Sequence, residues 1–144
     1  MKLLVINGPN LNLLGQREKS NYGALTLSDI EKIVKSEYLN HIFTFLQSNH
    51  EGEIIDQIQN ATENYDGLII NPGGYSHTSV AIRDALEVAK LPKIEVHLSN
   101  ISARDDFRHR SITAPMTNGY LSGFKEKGYL AAVYLIEKIS NYTK

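Results

Sequence analysis

Two runs in this chain, Leu3-Leu4-Val5-Ile6 and Gly67-Leu68-Ile69-Ile70, are apolar at every position rather than at alternate ones. A strand in a sheet with one wet face alternates apolar and polar residues, whereas a strand covered on both faces does not. Both runs therefore read as central strands of a parallel sheet. Such a sheet needs helices over both faces, because each new parallel strand requires a crossover. The sequence supplies them. Apolar residues recur at helical spacing from Asp29 to about Leu39, from Glu51 to Asn64, from Ser79 to Lys90 and from Tyr129 to Ile139. Ile42 to Gln47, Lys93 to His97 and Asn118 to Gly123 read as further strands, and Leu3 to Asn7 as the first. Ser28 and Glu31 have capping-box spacing at the start of the first helix.

With right-handed crossovers this order gives an α/β, flavodoxin-like three-layer sandwich. Its five-stranded parallel sheet has the order 2-1-3-4-5. At 144 residues, with no linker or internal repeat, residues 1–144 read as a single domain. Ligands of such sheets bind beyond the carboxyl ends of the strands. Four segments fall there: Gly8 to Gly23, Ser48 to His50, Pro72 to Thr78 and Leu98 to Arg110. They hold Arg17, Arg104, Arg108 and Arg110 together with His50, His77 and His109, and His97 lies at a strand end. The first segment is unusually long. About sixteen residues join strand to helix where about two to six are usual, and loops of that length are lids, binding loops or disordered inserts. It is not low-complexity, and it carries Asn10, Arg17 and Tyr22.

Composition removes several functions. A net charge of −1 argues against a nucleic-acid or membrane-surface partner. No apolar run approaches the roughly 18 residues of a membrane span. The N-terminus has no signal-peptide pattern, and a cytoplasmic setting is expected. Without cysteine there is no disulfide, thiolate zinc site or thiol nucleophile. No GxGxxG, GxxxxGK[ST] or paired acidic residues follow the first strand, so a nucleotide cofactor is not expected. Scattered histidines without HxxxH spacing argue against a metal. The missing GxSxG makes Ser76 and Ser79 poor nucleophiles.

The remaining polar residues each admit a structural and a chemical reading. Asn7-Gly8-Pro9-Asn10 is a tight turn whose amides can also donate and accept hydrogen bonds. Tyr22 is a poor base as a phenol, but a nearby guanidinium such as Arg17 favours the phenolate. Otherwise the two are merely packed on the loop. Asn71 to Ser79 runs from strand into helix, with Thr78 or Ser79 as N-cap. Successive backbone N–H groups there suit an anion or hydroxyl. Glu95 and His97 share one side of a strand, so the carboxylate can orient the imidazole, as catalytic pair or as structural pair. Arg104 and Arg108 are four apart in a presumed helical turn, facing a cleft or paired with Asp105 and Asp106.

Taken together, VINGPNLNLLGQRE, NYG, QSNHEGEIID, NPGGYSHTSVAIRDAL, IEVHLSN and ARDDFRHRS resemble the type II 3-dehydroquinate dehydratases over most of residues 4–111. APMTNGYLSGFKEKGYLAAV is a looser match. The resemblance implies anti elimination of water from 3-dehydroquinate, giving 3-dehydroshikimate through an enolate. The setting is the shikimate pathway of aromatic amino acid biosynthesis or quinate catabolism. Neither metal nor organic cofactor is implied. It casts Tyr22 as base, with Arg17 favouring its phenolate. Asn10 stabilises the enolate oxygen through a bound water, and His97 is the general acid held by Glu95. Asn71, His77 and Arg108 bind substrate hydroxyls, and the N–H groups of Leu98 and Ser99 hold the carboxylate. Asp84 matches a residue that reaches a neighbouring subunit's site, in a homododecamer built as a tetramer of trimers. A flavodoxin-like module that binds a small hydroxy acid without turnover is the reading from another class.

Overall fold

A computed structural model of the chain describes residues 1–142. Five parallel strands, β1 (Lys2–Asn7), β2 (Ile42–Gln47), β3 (Gly67–Asn71), β4 (Lys93–His97) and β5 (Gly119–Ser122), lie in the order β2-β1-β3-β4-β5. The helices are α1 (Lys19–Tyr22), α2 (Leu27–Glu37), α3 (Glu51–Asn64), α4 (Val80–Val88) and α5 (Lys127–Tyr142).

The all-apolar strands explain the layers. Alternate side chains of a strand point to opposite faces. Leu3 and Val5 of β1 join Ile69, Ile94 and Val96 under α2 and α5, whose Ile30, Val34, Val133 and Ile136 complete that core. Leu4 and Ile6 join Leu68 and Ile70 under α3 and α4, packed by Ile54, Ile58, Ile82 and Leu86. Strand β4 breaks the pattern. Ile94 and Val96 feed the first core, while the opposite face carries Glu95 and His97, both buried.

Two local expectations are corrected. The capping box at the start of α2 is Thr26 with Asp29, not Ser28 with Glu31. Thr26 Oγ1 accepts the Asp29 N–H (3.1 Å), and Asp29 Oδ2 accepts the Thr26 N–H (3.0 Å). Leu27 packs into the same core as Ile30 and Val34, so the helix must start early enough to put Leu27 on that face. Thr26, by its hydroxyl first and its backbone second, holds the Asp29 carboxyl below its ordinary range. The expected turn around Arg104 is two separate 3₁₀ turns, Ile101–Ala103 and Asp106–His109, with Arg104 extended between them. Loop geometry, rather than one helical face, brings Arg104 and Arg108 to the cleft.

The long connection after β1 is structured. A 3₁₀ turn (Leu11–Leu13) and α1 divide it, and Leu11 and Leu14 anchor it in the core. Among the described residues, no helix is long and apolar enough to cross a membrane.

Candidate active site

The carboxyl ends of β1 and β3 are locked together by backbone. Gly8 N–H donates to Asn71 O (2.7 Å), and a Cβ added at Gly8 would lie 2.5 Å from the Pro72 carbonyl oxygen. Only glycine permits that approach. Gly73 takes a positive φ of 60° on the β3 side. Beyond these ends lies a small polar cleft, open at its mouth.

Its first wall is the connection after β1. Asn10 holds a left-handed φ of 66°, and its N–H donates to Asn49 Oδ1 (3.0 Å). Tyr22 ends α1 and is half-buried. Arg17 Nη2 donates to its Oη at 2.8 Å, with the guanidinium carbon 3.8 Å from the ring centroid. Arg104 Nη1, from the segment after β4, donates to the same oxygen at 2.8 Å and to Ser99 Oγ at 3.2 Å. Two guanidinium groups thus converge on one phenol oxygen, an arrangement that favours negative charge there.

The second wall is the end of β4. His97 Nε2–H donates to Glu95 Oε1 (2.7 Å), and both side chains are buried. Ser111 Oγ donates to the same carboxylate oxygen (3.0 Å) and Thr113 Oγ1 to the other (2.6 Å). This set of donors satisfies the buried carboxylate and fixes its orientation. It leaves the His97 ring facing the cleft through its other side. The His77 ring stacks beside it, centroids 6.5 Å apart, with its own Nδ1–H donating to Arg110 O (2.9 Å).

The floor is Asn71, whose amide orientation is determined. Gly73 N–H is a donor, so Asn71 must present Oδ1 to it (3.1 Å) and Nδ2 to Tyr129 Oη (3.2 Å). Tyr129 must then donate elsewhere, to Asn7 Oδ1 (2.5 Å). Asn7 and Asn71 are register partners on β1 and β3, both reaching toward α5, which carries Tyr129. Burial pushes the Tyr129 hydroxyl far above its ordinary titration range, so it stays a neutral donor.

The structure gathers most of the sequence-selected residues. Asn10, Arg17, Tyr22, Asn71, His77, His97, Leu98, Ser99 and Arg108 line the cleft, and Glu95 stands behind His97. Arg108 also pairs with Asp105 (3.2 Å). His50, His109 and Arg110 lie outside it. Asp84 sits exposed on α4, away from the cleft. Ser76 is buried, donating to Gly73 O, and Ser79 caps α4 by accepting the Ile82 N–H, so neither hydroxyl is placed as a nucleophile. Sequence reasoning missed Arg104 as the second partner of Tyr22, along with Ser111, Thr113 and Tyr129. Only the Asn7–Asn71 register gave any signal for the last. Among the described residues, no three His, Asp or Glu side chains converge as a metal site.

A model of the family described as dehydroquinase class II matches residues 1–137. The chain is 52% identical over 141 residues to a 3-dehydroquinate dehydratase of Caldicellulosiruptor bescii, covering 96% of this chain and 97% of the relative. It is 54% identical over 143 residues to one of Fusobacterium nucleatum, covering 95% and 97%. The type II dehydroquinase crystal structure from Butyrivibrio crossotus superposes with a TM-score of 0.92 at 49% identity, covering 95% and 97%.

Proposed function

The chain belongs to the class II dehydroquinase family, and on that premise we propose that it converts 3-dehydroquinate to 3-dehydroshikimate by anti elimination through an enolate. Tyr22, as phenolate, takes the C2 proton beside the C3 ketone, and the electron pair moves onto the ketone oxygen. Asn10 supports that enolate oxygen through a bound water. The enolate then re-forms the ketone, the C1=C2 bond forms, and the C1–O bond breaks. His97 gives the departing hydroxyl its proton, so that it leaves as water. Glu95 carries the charge of the imidazolium before that transfer.

The observation that carries this reading is the pair of guanidinium donors, each 2.8 Å from the Tyr22 oxygen, in the cleft that also holds the Glu95-anchored His97. A phenol oxygen beside two cations and an imidazole beside a carboxylate are the surroundings that base and acid of an elimination require. Asn71, His77 and Arg108 bind the substrate hydroxyls, and the Leu98 and Ser99 N–H groups bind its carboxylate. The reaction needs neither metal nor organic cofactor.

Residues 1–144 act as a single dehydroquinase domain in the cytoplasm, serving aromatic amino acid biosynthesis or quinate catabolism. The working form is a homododecamer, a tetramer of trimers, in which Asp84 serves a neighbouring protomer's site. Val80, Asp84 and Val88 are spaced by four on α4 and exposed together, a stripe suited to cover by another copy.

The test is direct. The purified, EDTA-treated protein is mixed with 3-dehydroquinate, and the absorbance of the conjugated enone is followed. A rise that vanishes in Tyr22→Phe supports both reaction and base. No rise from folded, oligomeric protein would reject turnover and leave a binding module.

A further inference from the structure

Helix α1, which carries Tyr22, is four residues long. A helix that short has no stability of its own. It also leaves carbonyls unpaired at its C-terminal end: Gly23 N–H reaches Lys19 O (2.9 Å), but the helix stops before it can serve Ser20 O and Asn21 O. Both are taken by one side chain from far along the sequence. Lys125 Nζ donates to Ser20 O and to Asn21 O, each at 2.6 Å.

Lys125 is held to do this. Among the described residues, Asn10 and Lys125 are the non-glycine residues with a positive φ, and Lys125 has φ 52°. Glycine takes that conformation freely, and a lysine there is strained. Its N–H donates to Leu98 O (3.1 Å), the residue next to Ser99 in the cleft wall. The backbone of Lys125 is therefore pinned to the substrate-anchoring segment, and its ammonium grips the helix that bears Tyr22. Strain kept at a position with so specific a contact points to a role for the contact.

We propose that Lys125 is a positioning residue for Tyr22, an ammonium latch that closes the α1 segment over the cleft and ties it to the Leu98–Ser99 wall. This rests on the reading of Tyr22 as the base. A cation at the last carbonyls of a helix also complements its dipole, which strengthens the grip.

The experiment uses the full-length protein and three variants. Lys125→Met keeps the stem and the strained φ but loses the ammonium. Lys125→Gly loses the ammonium and relieves the strain. Lys125→Arg keeps the charge. Three quantities are read: the rate at which trypsin releases fragments ending at Arg17 and Lys19, the separate values of kcat and KM, and the melting temperature. Lys125→Met and Lys125→Gly are expected to be cut in the lid about tenfold faster and to lose about tenfold in kcat, the scale of losing charge-assisted hydrogen bonds. KM changes less, because the substrate-anchoring groups lie on other segments. Lys125→Gly melts no lower than the parent, and Lys125→Arg recovers much of the protection.

Unchanged lid cleavage in Lys125→Met and Lys125→Gly overturns the latch. Faster cleavage with unchanged kcat overturns the positioning of Tyr22. A lower melting temperature in Lys125→Gly makes Lys125 a structural residue and overturns the proposal too. A parent protein with no turnover would instead strike at the reaction itself, while lid protection would still report on the latch.

Discussion

The proposed acid and the proposed base of this cleft are supported in opposite ways. His97 stands at the end of a central strand, buried, against a carboxylate that also accepts from Ser111 and Thr113. Tyr22 stands at the end of a one-turn helix on a long connection, half-exposed. It is held by cations from three separate places in the chain: Arg17 and Arg104 on its oxygen, and Lys125 on its helix. His97 is set by a buried strand, whereas Tyr22 only rests against the edge of the first core and is otherwise held by polar contacts. An elimination site of this kind needs its proton acceptor to be covered in turnover and uncovered for exchange of substrate and product, and only a segment with little core of its own can do both.

The sharpest separation of the two regions comes from removing one group in each. Tyr22→Phe deletes the base, and turnover should fall by about 10³-fold, within the usual range for general-base loss. Its melting temperature should stay near that of the parent, because the two freed guanidinium groups turn to water. Glu95→Gln should cost activity less, about 10²-fold, but stability more. The new amide places N–H groups against donors in a buried site, at a cost of about 2 kcal/mol. Parallel thermal melts and initial rates read both. Equal losses of stability in the two variants would mean that the lid belongs to the core, and the contrast would collapse.

The same contrast explains what could be read from the sequence. The three layers and the pairing of Glu95 with His97 follow from period-two and period-3.6 patterns, which are local and short in range, and the handedness of crossovers then supplies the strand order. Asn7 and Asn71 are visible the same way, as the last residues of two adjacent parallel strands. Arg104 on Tyr22 is not visible, since 82 positions separate the two and no periodicity links them. Thr26-Leu27-Ser28-Asp29 offers two hydroxyl residues as caps, so spacing alone does not choose between them. The packing of Leu27, a tertiary fact, decides between them. Asp84 lies outside the cleft, and no local pattern ties its exposed position on α4 to the site.

A smaller effect divides the work between the two arginines on Tyr22. Each guanidinium supports negative charge on the Tyr22 oxygen. Arg17→Ala leaves that oxygen one guanidinium donor instead of two, so turnover should fall about tenfold, the size of one lost charge-assisted contact. Initial rates of parent and variant check this. An unchanged rate would assign the charge stabilisation to Arg104, leaving Arg17 to cover the ring on which it stacks.

The smallest effect tests whether the lid depends on its neighbour in sequence or on its partners in space. Thr26 caps α2 three residues beyond Gly23, where the lid ends. Thr26→Ala should cost about 1 kcal/mol of stability, as lost N-caps do. The Asp29 carboxyl is held below its ordinary range by Thr26, so its contribution is present above that range and lost as pH falls through the lowered value. The difference in stability between parent and variant should accordingly shrink on acidification. Turnover at neutral pH should not change. The lid is fastened by Arg104 and Lys125, which lie on the β4–β5 side of the sheet, and neither contact passes through the start of α2. If weakening this cap lowered kcat along with stability, the lid would be borrowing its order from the adjoining helix, and the independence of the base from the packed elements would be lost.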